Sequence, residues 1–219
     1  MNAASVRCEQ PYAGSVLKKC LMTTPTNRIY LDNAATGWPK PEAVYASVDQ
    51  YMRLSGAPAG RGTSGEASEV ERQITDTRKK IITLFGESDL SRIIFTCNGT
   101  DSLNLGIHGL LKSGDHVVTS CVEHNSVLRP LRFLEQANCI TVSRVGCGAT
   151  GIIDPRDIEA AILPNTKLIV LTHASNVTGA IQPVADVGAI AKRYGIRYLV
   201  DAAQSVGHIP VNAAELNAD

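Results

Sequence analysis

Five short runs rich in β-branched residues recur along this chain: RIIFTC (92–97), HVVTS (116–120), CITVSR (139–144), KLIVLTH (167–173) and RYLVD (197–201). Each follows a segment with helical periodicity. Short apolar strands separated by helices require a mostly parallel sheet covered on both faces, an α/β architecture. In EASEVERQITDTRKKIITLF, Val70, Ile74, Ile81 and Leu84 follow helical spacing, and Asp76 is placed to support Lys80 one turn on. Leu103, Ile107, Leu110 and Leu111 share the face of the next helix, with Gly114 as its stop. Pro130 is expected in the first turn of a helix near 126–137, where it costs little. Asp154 opens a helix with Pro155 at its first position. Val184, Val187, Ile190 and Tyr194 stand in register on the last, which Gly195 caps.

The 219 residues suit one large domain or one and a half small ones, and a chain of this length buries roughly 70–75% of its unfolded surface. Lys+Arg and Asp+Glu both number 21 and aromatics are 5%, a balance that points away from nucleic acid and membrane surfaces. The six cysteines (Cys8, Cys20, Cys97, Cys121, Cys139 and Cys147) form no CxxC pair; their scatter suits reduced, cytoplasmic thiols. No apolar run approaches the length of a membrane span. Residues 1–27 have no apolar stretch of a secretory signal, though basic residues outnumber the single acid, Glu9, as in an organellar leader. They read as a disordered or misassigned extension, with Met22 as a natural start, and deleting the first 21 residues is expected to leave stability unchanged.

In open parallel sheets ligands bind beyond the carboxyl ends of the strands. Four polar clusters follow the expected strands: CNGTDS (97–102), CVEHNS (121–126), HASNVTG (173–179) and DAAQS (201–205). Together they favour a binding cleft. NGTDS opens a helix whose N–H groups and Thr100 hydroxyl suit a phosphate, although Thr100 or Asp101 as a simple cap is the plainer alternative. His124 suits either stacking on a planar ligand or a surface cap. Asp201, ending a buried strand, needs a cationic partner or donors, because an unpaired buried carboxylate is costly. A protonated ring nitrogen meets that need.

The series YLDNAATGWPKP, GRGTSGEAS, SRIIFTCNGTDSLNLGIHGLLKSGDHVVTSCVEHNSVLRPL, NTKLIVLTHASNVTG and LVDAAQSVGHIPV resembles the successive motifs of class V aminotransferases, in the branch of cysteine desulfurases and selenocysteine lyases. The likeness spans about residues 28–219. It implies the large domain of a fold-type-I pyridoxal 5'-phosphate enzyme, an α/β/α sandwich over 61–219, with 28–60 contributing to a small domain and the site entrance. It implies that Asp201 pairs with the pyridine nitrogen, His124 stacks on the ring, Gln204 bonds the phenolic oxygen, Asn176 lies beside it, and Gly99 and Thr100 hold the phosphate. Asn33, Ala34 and Arg61 are weaker transfers on the substrate side. The implied activity takes sulfur from L-cysteine through a persulfide, in a homodimer that serves a sulfur-acceptor protein; selenocysteine and other class V substrates remain alternatives.

The resemblance also implies a Schiff-base lysine one strand beyond DAAQ, and a carboxylate-binding arginine and persulfide cysteine further on. No lysine follows Lys192, Lys167 precedes its strand, and Lys40 is a poor substitute. The chain therefore reads as a truncated first half, expected to be inactive and poorly folded alone. In the family the 92–97 strand pairs with a later segment, so it should stand across a gap from the other four and leave two exposed edges. The rival reading is an inert fragment, or a module that binds cofactor or partner without turnover. Nicotinamide binding through GRGTSG lacks a preceding strand, no GxSxG elbow supports a hydrolase, and Cys121 with His124 lacks further metal ligands.

Overall fold

A computed structural model describes residues 29–60 and 62–219. The expectations for residues 1–27 and for Arg61 lie outside them. The chain parts into two compact units, one ending at Pro41 and one running Glu42–Asp219.

The described part of the first unit is a tight loop. The Tyr30 hydroxyl donates to the carbonyls of Asp32 and Thr36, each at 2.9 Å, and its ring meets Trp38 edge-on at 5.3 Å. The Asn33 carboxamide oxygen accepts the Trp38 N–H at 3.1 Å, and the Lys40 ammonium donates to the Gly37 carbonyl at 2.9 Å.

The second unit alternates helix and strand. Helices α1 (Glu42–Gln50) and α2 (Gly65–Leu84), α1 running on into a π-helical turn at Tyr51–Ser55, precede α3 (Gly99–Leu110). Then come β1 (Asp115–Ser120), α4 (Asn125–Gln136), β2 (Ile140–Val145), α5 (Pro155–Ala160), β3 (Thr166–Thr172), α6 (Val184–Tyr194), β4 (Arg197–Asp201) and α7 (Ala213–Leu216). The four strands form one parallel sheet in the order β2-β1-β3-β4.

Strand parity assigns the two faces. Val117, Leu168 and Val170 pack with Leu103, Ile107, Val127 and Leu131 of α3 and α4. Val118, Ile169 and Leu171 pack with Ile158, Val184, Val187 and Ala191 of α5 and α6. Both faces are covered, which is why these strands are apolar at consecutive positions. At the amino edge the buried His116 ring stitches three strands, with Nδ1 at 2.7 Å from Thr166 Oγ1 and Nε2 at 3.0 Å from Ser143 Oγ. Burial lowers its pKa.

Several local expectations hold. Asp154 caps α5 ahead of Pro155, and Gly195 closes α6 at φ +65°. Others do not. RIIFTC is no strand: a 3₁₀ turn takes Leu90–Arg92, and 93–97 has no ladder partner among the described residues. The other four strands stand together, as the family resemblance implies. Pro130 lies in the second turn of α4, not the first. Asp76 pairs with Arg72 at 3.2 Å and Lys79 at 3.1 Å, not with Lys80. Leu84, Leu110 and Tyr194 are exposed, so those stripes are shorter than their periodicity implies. Among the described residues no helix is long and apolar enough to cross a membrane.

Candidate cofactor-binding edge

Parallel pairing puts the ends of β1, β3 and β4 on one edge of the sheet, so His124 and Asn176 follow, and Asp201 ends, strands at that edge. Thr100 joins them from α3. Asn98, rather than Thr100 or Asp101, caps this helix: its side-chain oxygen accepts the Asp101 N–H at 2.9 Å. Gly99 and Thr100 then occupy the first two helical positions, whose N–H groups have no partner within the helix. The Thr100 hydroxyl is freed from capping and lies 2.7 Å from Ser126 Oγ.

Ser126 connects Thr100 to His124, whose Nδ1 lies 2.9 Å from the serine hydroxyl and accepts the Ser126 N–H at 3.2 Å. His124 is thus the cap of α4, as the plainer of its two readings has it, and its ring is exposed at the edge. An accepting Nδ1 leaves the proton of the neutral ring on Nε2. Thr100, His124 and Ser126 share a cavity of about 690 Å³ that runs along Asn104, Arg129 and Phe133. Asn176, Asp201 and Gln204 do not line it.

Asp201 is buried at the end of β4. Its Oδ1 accepts the Ala203 N–H at 3.0 Å, and its carbonyl accepts the His173 N–H at 2.9 Å. Gln204 is half-buried three residues on, and Asn176 is exposed in the turn after β3. That turn is tied by the Ser175 hydroxyl, which accepts from Val177 and Thr178 N–H at 3.2 Å each. Asn33 and Ala34 belong to the first unit, where the Asn33 side chain shapes its own loop.

Two further polar groups at this edge escaped the sequence reading. Glu123 is 7% exposed, accepts the Ser120 hydroxyl on Oε1 at 2.5 Å, and has a buried Oε2 without a partner. Burial pushes its carboxyl up to about 7, against the Ser120 and Thr172 hydrogen bonds and with a smaller push from Asp201. His173 is buried too; its Nδ1 has no partner, and burial lowers its pKa. The available signal was position: Glu123 directly precedes His124, and His173 directly follows β3. Buried polar atoms are mostly hydrogen-bonded, which sets these two apart at this edge. Among the described residues no group of three His, Cys, Asp or Glu is arranged to hold a metal ion.

The donor set suits an anionic, planar, cationic-ring ligand: a helix start with hydroxyls for phosphate, an imidazole for a ring face, and a buried carboxylate for a ring N–H. The family profile described as aminotransferase class-V matches residues 29–219. The cysteine desulfurase IscS of Dictyoglomus turgidum is 38% identical over 196 residues, 87% of this chain and 48% of that protein. Among solved structures, SspA in complex with cysteine superposes with a TM-score of 0.82 at 33% identity, over 87% of this chain and 55% of that one. The apo cysteine desulfurase of Thermococcus onnurineus NA1 gives 0.81 at 35%, over 87% and 48%. The chain spans about half the length of the curated relatives it matches.

Proposed function

Because this chain belongs to the class-V aminotransferase family, we propose that it carries the pyridoxal phosphate-binding edge of a cytoplasmic cysteine desulfurase acting on L-cysteine. The observation that carries the reading is the buried carboxylate of Asp201 at the end of β4, on the same sheet edge as the α3 start and His124. Once bound, the cofactor supplies an electron sink for charge developing on the amino acid. The chain's residues bind and orient it. Asp201 keeps a proton on the ring nitrogen, and the Gly99 and Thr100 N–H groups with the Thr100 hydroxyl take the phosphate. His124 covers one ring face, Gln204 donates to the phenolic oxygen, and Asn176 lies beside it.

One observation supports a second, non-catalytic reading. Among the described residues of the second unit, Lys79 and Lys80 lie on α2, Lys112 precedes β1, Lys167 begins β3 and Lys192 lies on α6. None follows the carboxyl end of a strand, so these residues place no amine beside Asp201 for covalent attachment.

Titrating the 219-residue chain with pyridoxal phosphate, following absorbance and borohydride trapping, tests both readings. Non-covalent binding that Asp201→Ala weakens tenfold or more, with no trapped adduct and no sulfide from L-cysteine, is the expected result. Binding unchanged in Asp201→Ala refutes the role of the edge. Borohydride-stable adduct with sustained sulfide release refutes the non-catalytic reading and leaves the first.

A further inference from the structure

Two thiols that are far apart in sequence meet at neighbouring strand ends. β1 and β2 run parallel with Ser120 opposite Val145 on the last rung, and the Cys121 N–H donates to the Val145 carbonyl at 2.8 Å, carrying the ladder one residue further. Cys147 follows Val145 by two residues, across Gly146. Both cysteines are exposed. The Cys121 sulfur meets the Cys147 thiol and its backbone N–H; burial first, and then that thiol, push Cys121 above the ordinary thiol range. The register carried on by one residue sets Cys121 level with Gly146, so Cys147 lies one residue past the position opposite it on the neighbouring strand end; adjacent strands lie about 4.7–4.9 Å apart, and a disulfide takes a Cα separation of about 4.4–6.8 Å. Cys97 precedes α3, and the Cys139 thiol points to the Ala137 carbonyl at 3.7 Å.

We propose that Cys121 and Cys147 are a modification site, a thiol pair that a low-molecular-weight disulfide such as oxidised glutathione converts to an intramolecular disulfide. Exchange begins at one thiol of the pair, for example Cys147. Its thiolate attacks one sulfur of the small disulfide, whose S–S bond breaks and whose other half leaves as a thiol. Cys121 then attacks the Cys147 sulfur of the mixed disulfide and expels the second small thiol. Two protein thiols are oxidised by two electrons, one small disulfide is reduced to two thiols, and the protein's two protons leave on them. The bond ties the segment carrying Glu123 and His124 to the segment after β2. This inference is independent of cofactor binding.

The test treats the 219-residue chain with oxidised glutathione, alkylates the remaining thiols, digests with trypsin and maps disulfides by mass spectrometry. The expected product links peptides 113–132 and 145–156, at least tenfold above any link involving Cys97 or Cys139. In Cys121→Ser, glutathione should remain on Cys147; circular dichroism of this variant checks that its fold matches the wild type. Links made equally with Cys97 or Cys139, only intermolecular links, or stable glutathione on both cysteines of the wild type would overturn the assignment.

Discussion

Residues 42–97 and residues 115–201 share apolar periodicity and meet different fates. In the sheet region Leu168, Ile169, Val170 and Leu171 are all fully buried. In the earlier region Val44, Val48, Met52, Ile94 and Phe95 are between 42% and 71% exposed, and α1 has no buried residue. The difference is what stands opposite. β3 has a strand on each side and a helical layer on each face, whereas a helix stripe or an extended run is buried only when another layer faces it. Beside β4 a cavity of about 410 Å³ separates Leu199 and Val200 from Ile82 and Ile93. Periodicity thus dictates the type of element, and neighbours dictate its burial. An unpaired, β-branched edge of this sort invites pairing with another chain.

That contrast breaks if core and exposed truncations cost the same. Leu168→Ala, in the α3–α4 face of the sheet, should lower unfolding free energy by about 2–5 kcal/mol, whereas Val48→Ala on α1 should stay within about 0.5 kcal/mol. Urea denaturation followed by circular dichroism measures both. Equal losses would mean that α1 is packed as tightly as the sheet.

Glu123 sharpens the comparison, because only the dense region can shift a carboxyl so far. The folded state holds its proton up to about 7, against 4.5 as the ordinary value. Folded pKa above unfolded pKa means that the contribution of Glu123 to stability is complete below pH 4.5 and is lost as pH rises through 7, roughly 3 kcal/mol in total. Glu123→Gln should flatten that slope, so its melting temperature should gain on wild type between about pH 5 and pH 8. Parallel melting curves would place the titration elsewhere.

The smallest expected effects compare two helical glycines. A Cβ at Gly188 of α6 would run into the Leu216 carbonyl, so Gly188→Ala should cost about 1–3 kcal/mol. A Cβ at Gly109 of α3 meets nothing within 4 Å, so Gly109→Ala should stabilise by about 0.5–1 kcal/mol. Thermal melts of both variants check the sign of each change.

Much of this was legible in the residues themselves. Helix and strand alternation, the Asp154 and Gly195 caps and the carboxyl-edge position of Asp201 and His124 depend on local chemistry and period, which a sequence carries. RIIFTC has the composition of a strand but forms none, because a strand needs a partner for its N–H and C=O groups and composition does not supply one. The spacing of Asp76 allows Lys80, yet its carboxylate is held by Arg72 one turn back and Lys79 three residues on. Glu123 lies beside His124 in the text of the chain, but its raised carboxyl comes from burial at the sheet edge, with a smaller push from Asp201, and outweighs the hydrogen bonds from Ser120 and Thr172; three different strands bring these groups together. The cysteines show the same division. Scattered in sequence, they exclude a CxxC site; only the parallel pairing of β1 with β2 brings Cys121 and Cys147 to neighbouring strand ends, because through-space distance is decided by strand pairing and not by separation along the chain.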